Sequence, residues 1–294
     1  MPSNNIFDSQ SIRDILKYVS FDSVLLLDLD NTVMESQLEL GSDQWFVQLC
    51  VHATTELTPS QNPIPLVIAL YHEIQKMARA QAVEDVVVKI INTMQDIGIP
   101  VIAITARDHC LNRATTRQLG DIGIHLFNSD ASNRELLITE IGKPPMRACY
   151  ENGIIFCGGK DKGQCFKAFL NDTGMKLNHV VMVDDKLKHL EHVKDVATGS
   201  NIRFDGIRYG YLDAKVAAFD INKANKQLAA VKHRLAHHVQ DHIQVLKLPE
   251  KRNANAECYL SFFYDNGDNA SGTRVDSLKS TPYESSHAMS SANI

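Results

Sequence analysis

Short apolar runs along the chain stop abruptly at polar residues, and the stretches between them repeat apolar positions at helical spacing. Residues 24–27 are Val-Leu-Leu-Leu and lead straight into Asp28-Leu29-Asp30-Asn31-Thr32, a pattern that predicts a buried strand ending in an acidic turn. Residues 34–84 read as mostly helical, with periodic stretches 45–57 and 66–80 on either side of a proline-rich turn at 58–65. Val83, Val87, Ile90, Ile91, Met94 and Ile97 predict a further helix that Gly98 closes. A second buried strand, 100–104, ends at Thr105, and a helix over 110–119 leads to a short strand near 124–127. Residues 154–156 precede a glycine- and lysine-rich turn at 158–163, followed by a helix over 164–173. Residues 180–183 form a third clean apolar run, which stops at Asp184-Asp185.

Strands alternating with helices predict an α/β fold: a doubly wound, mainly parallel sheet with a small helical cap at 34–84 inserted after the first acidic motif. The character changes near Leu228. Residues 1–228 read as the main domain and 229–264 as an extension, with a His-rich amphipathic helix at 232–248 and a strand-like run at 258–264. The polar, Ser-rich residues 265–294 have the composition of a disordered tail.

Composition narrows the partners. At 294 residues the chain can bury a sizeable core, and a formal charge of -5 leaves no basic footprint for nucleic acid. No segment is long and apolar enough to cross a bilayer, which predicts no membrane partner. The first residues lack a secretory pattern and the six cysteines show no framework spacing, so a cytoplasmic location is expected.

In a parallel sheet the carboxyl ends of the strands share one edge, where α/β proteins bind ligands. Asp28 and Asp30, Thr105, and Asp184 and Asp185 should therefore converge, with Lys160 or Lys162 arriving from the turn between the second and last of these strands. This order resembles the haloacid dehalogenase (HAD) superfamily, whose motifs are D-x-D-x-T, a strand-end Ser or Thr, a Lys and an acidic pair. The likeness covers residues 23–190. Gly41-Ser-Asp-Gln-Trp-Phe46, Asp184-Asp-Lys186 and Arg208-Tyr-Gly210 look more closely like a HAD-like bacterial family without an assigned activity, found largely in intracellular pathogens.

The resemblance implies a HAD-like Rossmannoid core and a Mg²⁺-dependent phosphatase acting on a phosphomonoester. Asp28 would be the nucleophile that becomes an aspartyl-phosphate, and Asp30 the acid and then the base. Thr105 and Lys162 would hold the phosphate, Lys162 being preferred over Lys160 because Lys-Gly opening a helix is the family's setting. Mg²⁺ would take Asp28, the Asp30 carbonyl, Asp184, and Asp185 either directly or through water. Such a cation is needed because each unit charge on a phosphate about 4 Å from a carboxylate costs about 4 kcal/mol.

Other residues stay open between two readings. Trp45 and Phe46 belong either to the substrate side of the cap or to its core, and Arg107 reaches either substrate or a surface salt bridge. His189 and His192 read as an exposed helix face rather than a metal pair, and Cys110 and Cys157 as structural thiols with no histidine placed to activate them. So small a cap would leave the site partly open to sizeable phosphorylated substrates. A rival reading is a HAD-like scaffold that binds a protein partner through its C-terminal extension, including as an effector exported into a host cell. A receiver-like phosphoacceptor domain ranks below both, since its acidic pair precedes the phosphorylated aspartate.

Overall fold

A computed structural model describes residues 4–58, 62–126, 133–139 and 144–248. The predicted strand-like run at 258–264 and the polar tail lie outside the described residues. The chain order is β1 (Asn4–Ser9), β2 (Ser23–Leu27), β3 (Met34–Ser36), α1 (Asp43–Glu56), α2 (Pro63–Met77), β4 (Ala80–Ala82), α3 (Asp85–Asp96), β5 (Val101–Thr105) and α4 (Asn112–Asp121). It continues through β6 (Arg134–Ile138), β7 (Met146–Glu151), β8 (Ile154–Phe156), α5 (Lys162–Thr173), β9 (His179–Asp184) and α6 (Leu187–Gly199). It closes with β10 (Arg203–Tyr209), α7 (Asp213–Ala217), α8 (Ile221–Val231) and α9 (His237–Val245).

The fold is α/β, with a mainly parallel eight-stranded sheet in the order β1-β10-β9-β2-β5-β8-β7-β6. All pairs from β1 to β8 are parallel, and the last two are antiparallel. Helices cover both faces. Leu25 and Leu27 of β2 pack with Val87, Ile90 and Ile91 of α3, while Val24 and Leu26 face Phe166 and Phe169 of α5 and Leu190 and Val193 of α6. With side chains alternating between two buried faces, β2, β5 and β9 need apolar residues on both, which produces the runs Val24–Leu27, Val101–Ile104 and Val180–Val183.

β2 lies between β5, reached next along that side of the sheet, and β9, reached only after β8 has been laid down on the far side of β5. This is a switch point in strand order, and the acidic motifs lie at the carboxyl ends of these central strands.

The structure departs from expectation in several elements. Residues 124–126 form no strand, and Phe127 lies outside the described residues. The inserted segment is not helical throughout, because β3 and β4 pair antiparallel at its base and hold its two ends together. The His-rich helix at 232–248 is broken: a 3-10 turn at Lys232–Arg234 precedes α9. α8 runs through residue 228, and Leu228, Leu235, Val239, Ile243 and Leu246 share one apolar cluster with Trp45 and Leu49 of α1 and with Val67 and Leu70 of α2. The chain up to Leu248 therefore builds the cap's own core.

Candidate functional site

β2 ends at Leu27, and the next residues turn rather than continue the strand. The Asp28 N–H still donates to the Val183 carbonyl (3.0 Å), and the Val33 and Met34 N–H groups donate back to Leu29. Asn31 takes a left-handed conformation (φ 62°), which Asn tolerates through its short polar side chain. The tight turn leaves Asp28 and Asp30 at the sheet edge with Thr32 folded between β2 and β9.

Lys162 brings the acids together. It is the first residue of α5, and Asp161 caps that helix by accepting from the Gln164 N–H. Its Nζ donates to Asp28 Oδ1 (2.6 Å) and to Asp184 Oδ2 (2.8 Å), with all three side chains buried. Gly163 sets this placement, since a Cβ there would collide with the His192 carbonyl of α6. Lys160 instead folds back onto the carbonyls of Cys157 and Gly158.

Thr32 Oγ1 donates to Asp28 Oδ2 (3.4 Å) and accepts from the Asp185 N–H (3.1 Å), linking the first and last motifs. His189 Nδ1 lies 3.1 Å from Asp184 Oδ1, so His189 belongs to the acid cluster rather than to an exposed helix face, while His192 meets Asp161. Thr105 is buried at the end of β5, where its hydroxyl accepts from the Arg107 N–H (3.2 Å).

Arg107 is not a surface residue. Its Nε and Nη2 donate to the two oxygens of Asp30, both at 2.7 Å, and its Nη1 donates to Thr115 (3.1 Å) and Gln118 (2.6 Å). Gln118 continues to Gln75 of α2 (3.0 Å), and Gln75 donates to the Gly41 carbonyl (2.6 Å). The network thus runs from Asp30 into the cap. Two further ties are Gln44 to Asn31 (3.1 Å) and Lys186 to Asp43 (2.7 Å). These partners are amides and hydroxyls scattered along helices, and no spacing in the sequence marks them.

Trp45 lies in the cap core at zero exposure, whereas the neighbouring Phe46 lines the cavity beneath the cap. The structure also places His72 Nδ1 3.1 Å from Cys110 Sγ, a pairing that reading the chain in order did not reveal. Burial and the Asp108 carboxylate push that thiol up to about 12, which favours its protonated form.

The electrostatics of the cluster are unbalanced. Burial, then the Asp184 charge, pushes Asp28 up to about 6 against the pull of Lys162. Burial, then Asp28, pushes Asp185 up to about 8. Asp184 stays below the ordinary carboxyl value, because Lys162 and His189 outweigh its burial. Burial also works against ionised Asp30, but Arg107 outweighs it and holds that carboxyl below the ordinary value.

Ligand atoms of Asp28, Asp184 and Asp185 all lie within 4.8 Å of one another. Asp185 Oδ1 is buried without a hydrogen-bond partner. An all-oxygen donor set with an orphaned carboxylate oxygen and surplus negative charge fits a hard divalent cation such as Mg²⁺.

The chain matches the family described as "Protein of unknown function (DUF2608)" over residues 8–241, and it belongs to that family. It is 23% identical over 68% of its length to a Chlamydia pneumoniae protein named "Putative outer membrane protein", of which it covers 75%. Proteins of the same name in Chlamydia trachomatis serovar D and Chlamydia muridarum are 21% and 22% identical over 70% of the chain, each with 77% of its own length covered. No solved structure matches the chain. No helix among the described residues is long and apolar enough to cross a membrane.

Proposed function

We propose that this member of the DUF2608 family is a HAD-like, Mg²⁺-dependent phosphatase that hydrolyses a phosphomonoester through an aspartyl-phosphate. The observation that carries the reading is Lys162 held between Asp28 and Asp184 at the strand ends, beside the unpartnered oxygen of Asp185. A binding module has no need of a buried lysine and three converging carboxylates, whose burial costs stability.

Asp28, Asp184 and Asp185, with the Asp30 carbonyl, would hold the cation. When bound, it would offset the charge of the phosphate against the carboxylates. An Asp28 oxygen attacks phosphorus as the bond to the leaving oxygen breaks, and Asp30 supplies that oxygen with a proton. Water then attacks phosphorus, Asp30 takes its proton, and phosphate and free Asp28 result. Lys162 and the Thr105 hydroxyl stabilise the phosphoryl oxygens.

Arg107 adds a condition to this cycle. Paired with Arg107, Asp30 is ionised and set for the second half, as base. For the first half it must carry a proton, so Arg107 has to turn away from it, and the incoming phosphate dianion offers the matching partner.

Hydrolysis of para-nitrophenyl phosphate with and without Mg²⁺, comparing wild type with Asp28→Asn and Asp30→Asn, tests the assignment. Turnover should require both Mg²⁺ and Asp28. Activity equal in all proteins and independent of the cation would overturn it.

For location we propose the bacterial cytoplasm, with export into a host cell as the alternative. The names of the chlamydial relatives raise the outer membrane as a third setting, and cell fractionation separates the three.

A further inference from the structure

The cavity under the cap limits what the leaving group can be. It has a volume of about 180 Å³, and Asp30, Ala106, Arg107 and Gly158 in its lining follow the ends of β2, β5 and β8, the first two of which carry Asp28 and Thr105. Its apolar lining is Phe46 of α1, Ile68 and Tyr71 of α2, and Leu111 just before α4. The Phe46 and Tyr71 rings are 4.7 Å apart at 51°, which leaves a rigid aromatic corner. A dry apolar cavity of about 150 Å³ holds one benzene, whereas sites for larger ligands run from about 300 Å³ upward. The space therefore suits one ring, not a nucleoside.

Charge narrows the class further. The lining carries the carboxylates of Asp30, Asp43 and Asp108; Lys186 is engaged by Asp43, and the one guanidinium, Arg107, serves either Asp30 or the reacting phosphate, so neither cation is left for a second anion. Burial holds His72, also in the wall, below the ordinary imidazole value. A second anionic group on the substrate would meet like charge in a partly desolvated space.

We infer that the substrate is a phosphomonoester whose leaving group is a compact apolar body of about one ring, with no second anionic group, seated against Phe46 and Tyr71. This rests on the phosphatase reading, and it narrows the sizeable substrates that a small cap suggested.

Two measurements keep the two claims apart. The first is kcat/KM for methyl phosphate, phenyl phosphate, para-carboxyphenyl phosphate and adenosine monophosphate. Phenyl phosphate should exceed each of the others by about tenfold or more, the scale that one apolar contact supplies. The second is calorimetric binding of phenylphosphonate and methylphosphonate with Mg²⁺, which needs no turnover. Phenylphosphonate should bind about tenfold more tightly, and Phe46→Ala should abolish that difference while Phe46→Leu keeps part of it. Turnover of all four esters at similar rates, or a preference for the nucleotide, overturns the substrate class and leaves the phosphatase standing. No turnover together with the phenylphosphonate preference overturns the phosphatase alone. Equal binding of the two phosphonates overturns the inference.

Discussion

Arg107 grips Asp30 with two donors inside a buried site, and that geometry makes its replacement costly in two different ways. Arg107→Met leaves Asp30 as an unpaired, partly buried charge and should lower stability in urea denaturation, by less than the roughly 3–5 kcal/mol of a fully buried pair. Arg107→Lys keeps the charge but loses the fork, so an intermediate loss is expected. Gly163→Ala drives a methyl group into the His192 carbonyl, and separating α5 from α6 should cost about 1–3 kcal/mol. Because Lys162 is the adjacent residue, turnover should fall as well, unlike the effect of an alanine at exposed Gly199. The acids and Thr105 were legible in the sequence, because they follow or end apolar runs and the parallel sheet aligns those ends, whereas the spacing left Lys160 and Lys162 open and only the family resemblance favoured Lys162. Arg107 was visible as a residue but not as a partner, since 77 positions separate it from Asp30. Phe46 and Trp45 could not be told apart, since neighbours on a helix point in different directions and only the packing of α1 on α2 decides which one faces the cavity.

Among the elements, strands buried on both faces announce themselves, while half-polar ones do not. β5 is apolar up to its last residue, while β2 and β9 are fully buried apolar runs that each open on one polar residue, Ser23 and His179. β10 carries Arg203, Asp205 and Arg208, and edge strand β1 carries Asn4, Asn5 and Asp8, so neither reads as a core strand. In β10, Asp205 is satisfied internally, by His179 Nε2 (2.9 Å) and Arg203 (2.8 Å), an accommodation visible only once β9 and β10 are side by side. The extension after residue 228 reads as an appendage because its helix is amphipathic, and amphipathicity does not say which surface it will cover. Its apolar side completes the cap. Ending the chain at residue 228 removes Leu235, Val239, Ile243, Leu246 and Leu248 from that core, each worth about 1.5–3 kcal/mol when fully buried. Thermal melts of the shortened chain should show an early cap transition, and a melt unchanged from the full chain would refute this packing.

At the scale of the whole molecule, one edge of one sheet gathers the acids, and the cap is tied to that edge through Gln44, Asp43 and Gln75. The molecule should therefore respond as a unit when the charge at the edge is neutralised. Mg²⁺ at about one hundred times its dissociation constant should stabilise the protein by about 2.7 kcal/mol, seen as a rise of several degrees in Tm. Asp185→Asn should shrink that rise while leaving Lys162 paired with Asp28 and Asp184. Catalysis by Asp28 through a covalent phosphoenzyme is the centre of this account, and acid-quenched protein analysed by peptide mass spectrometry tests it most directly. After mixing with para-nitrophenyl phosphate and Mg²⁺, the peptide containing Asp28 should carry one phosphoryl group, absent in Asp28→Asn and accumulating in Asp30→Asn, where breakdown lacks its base. Product release with no phosphoryl group on that peptide in either wild type or Asp30→Asn would contradict the account.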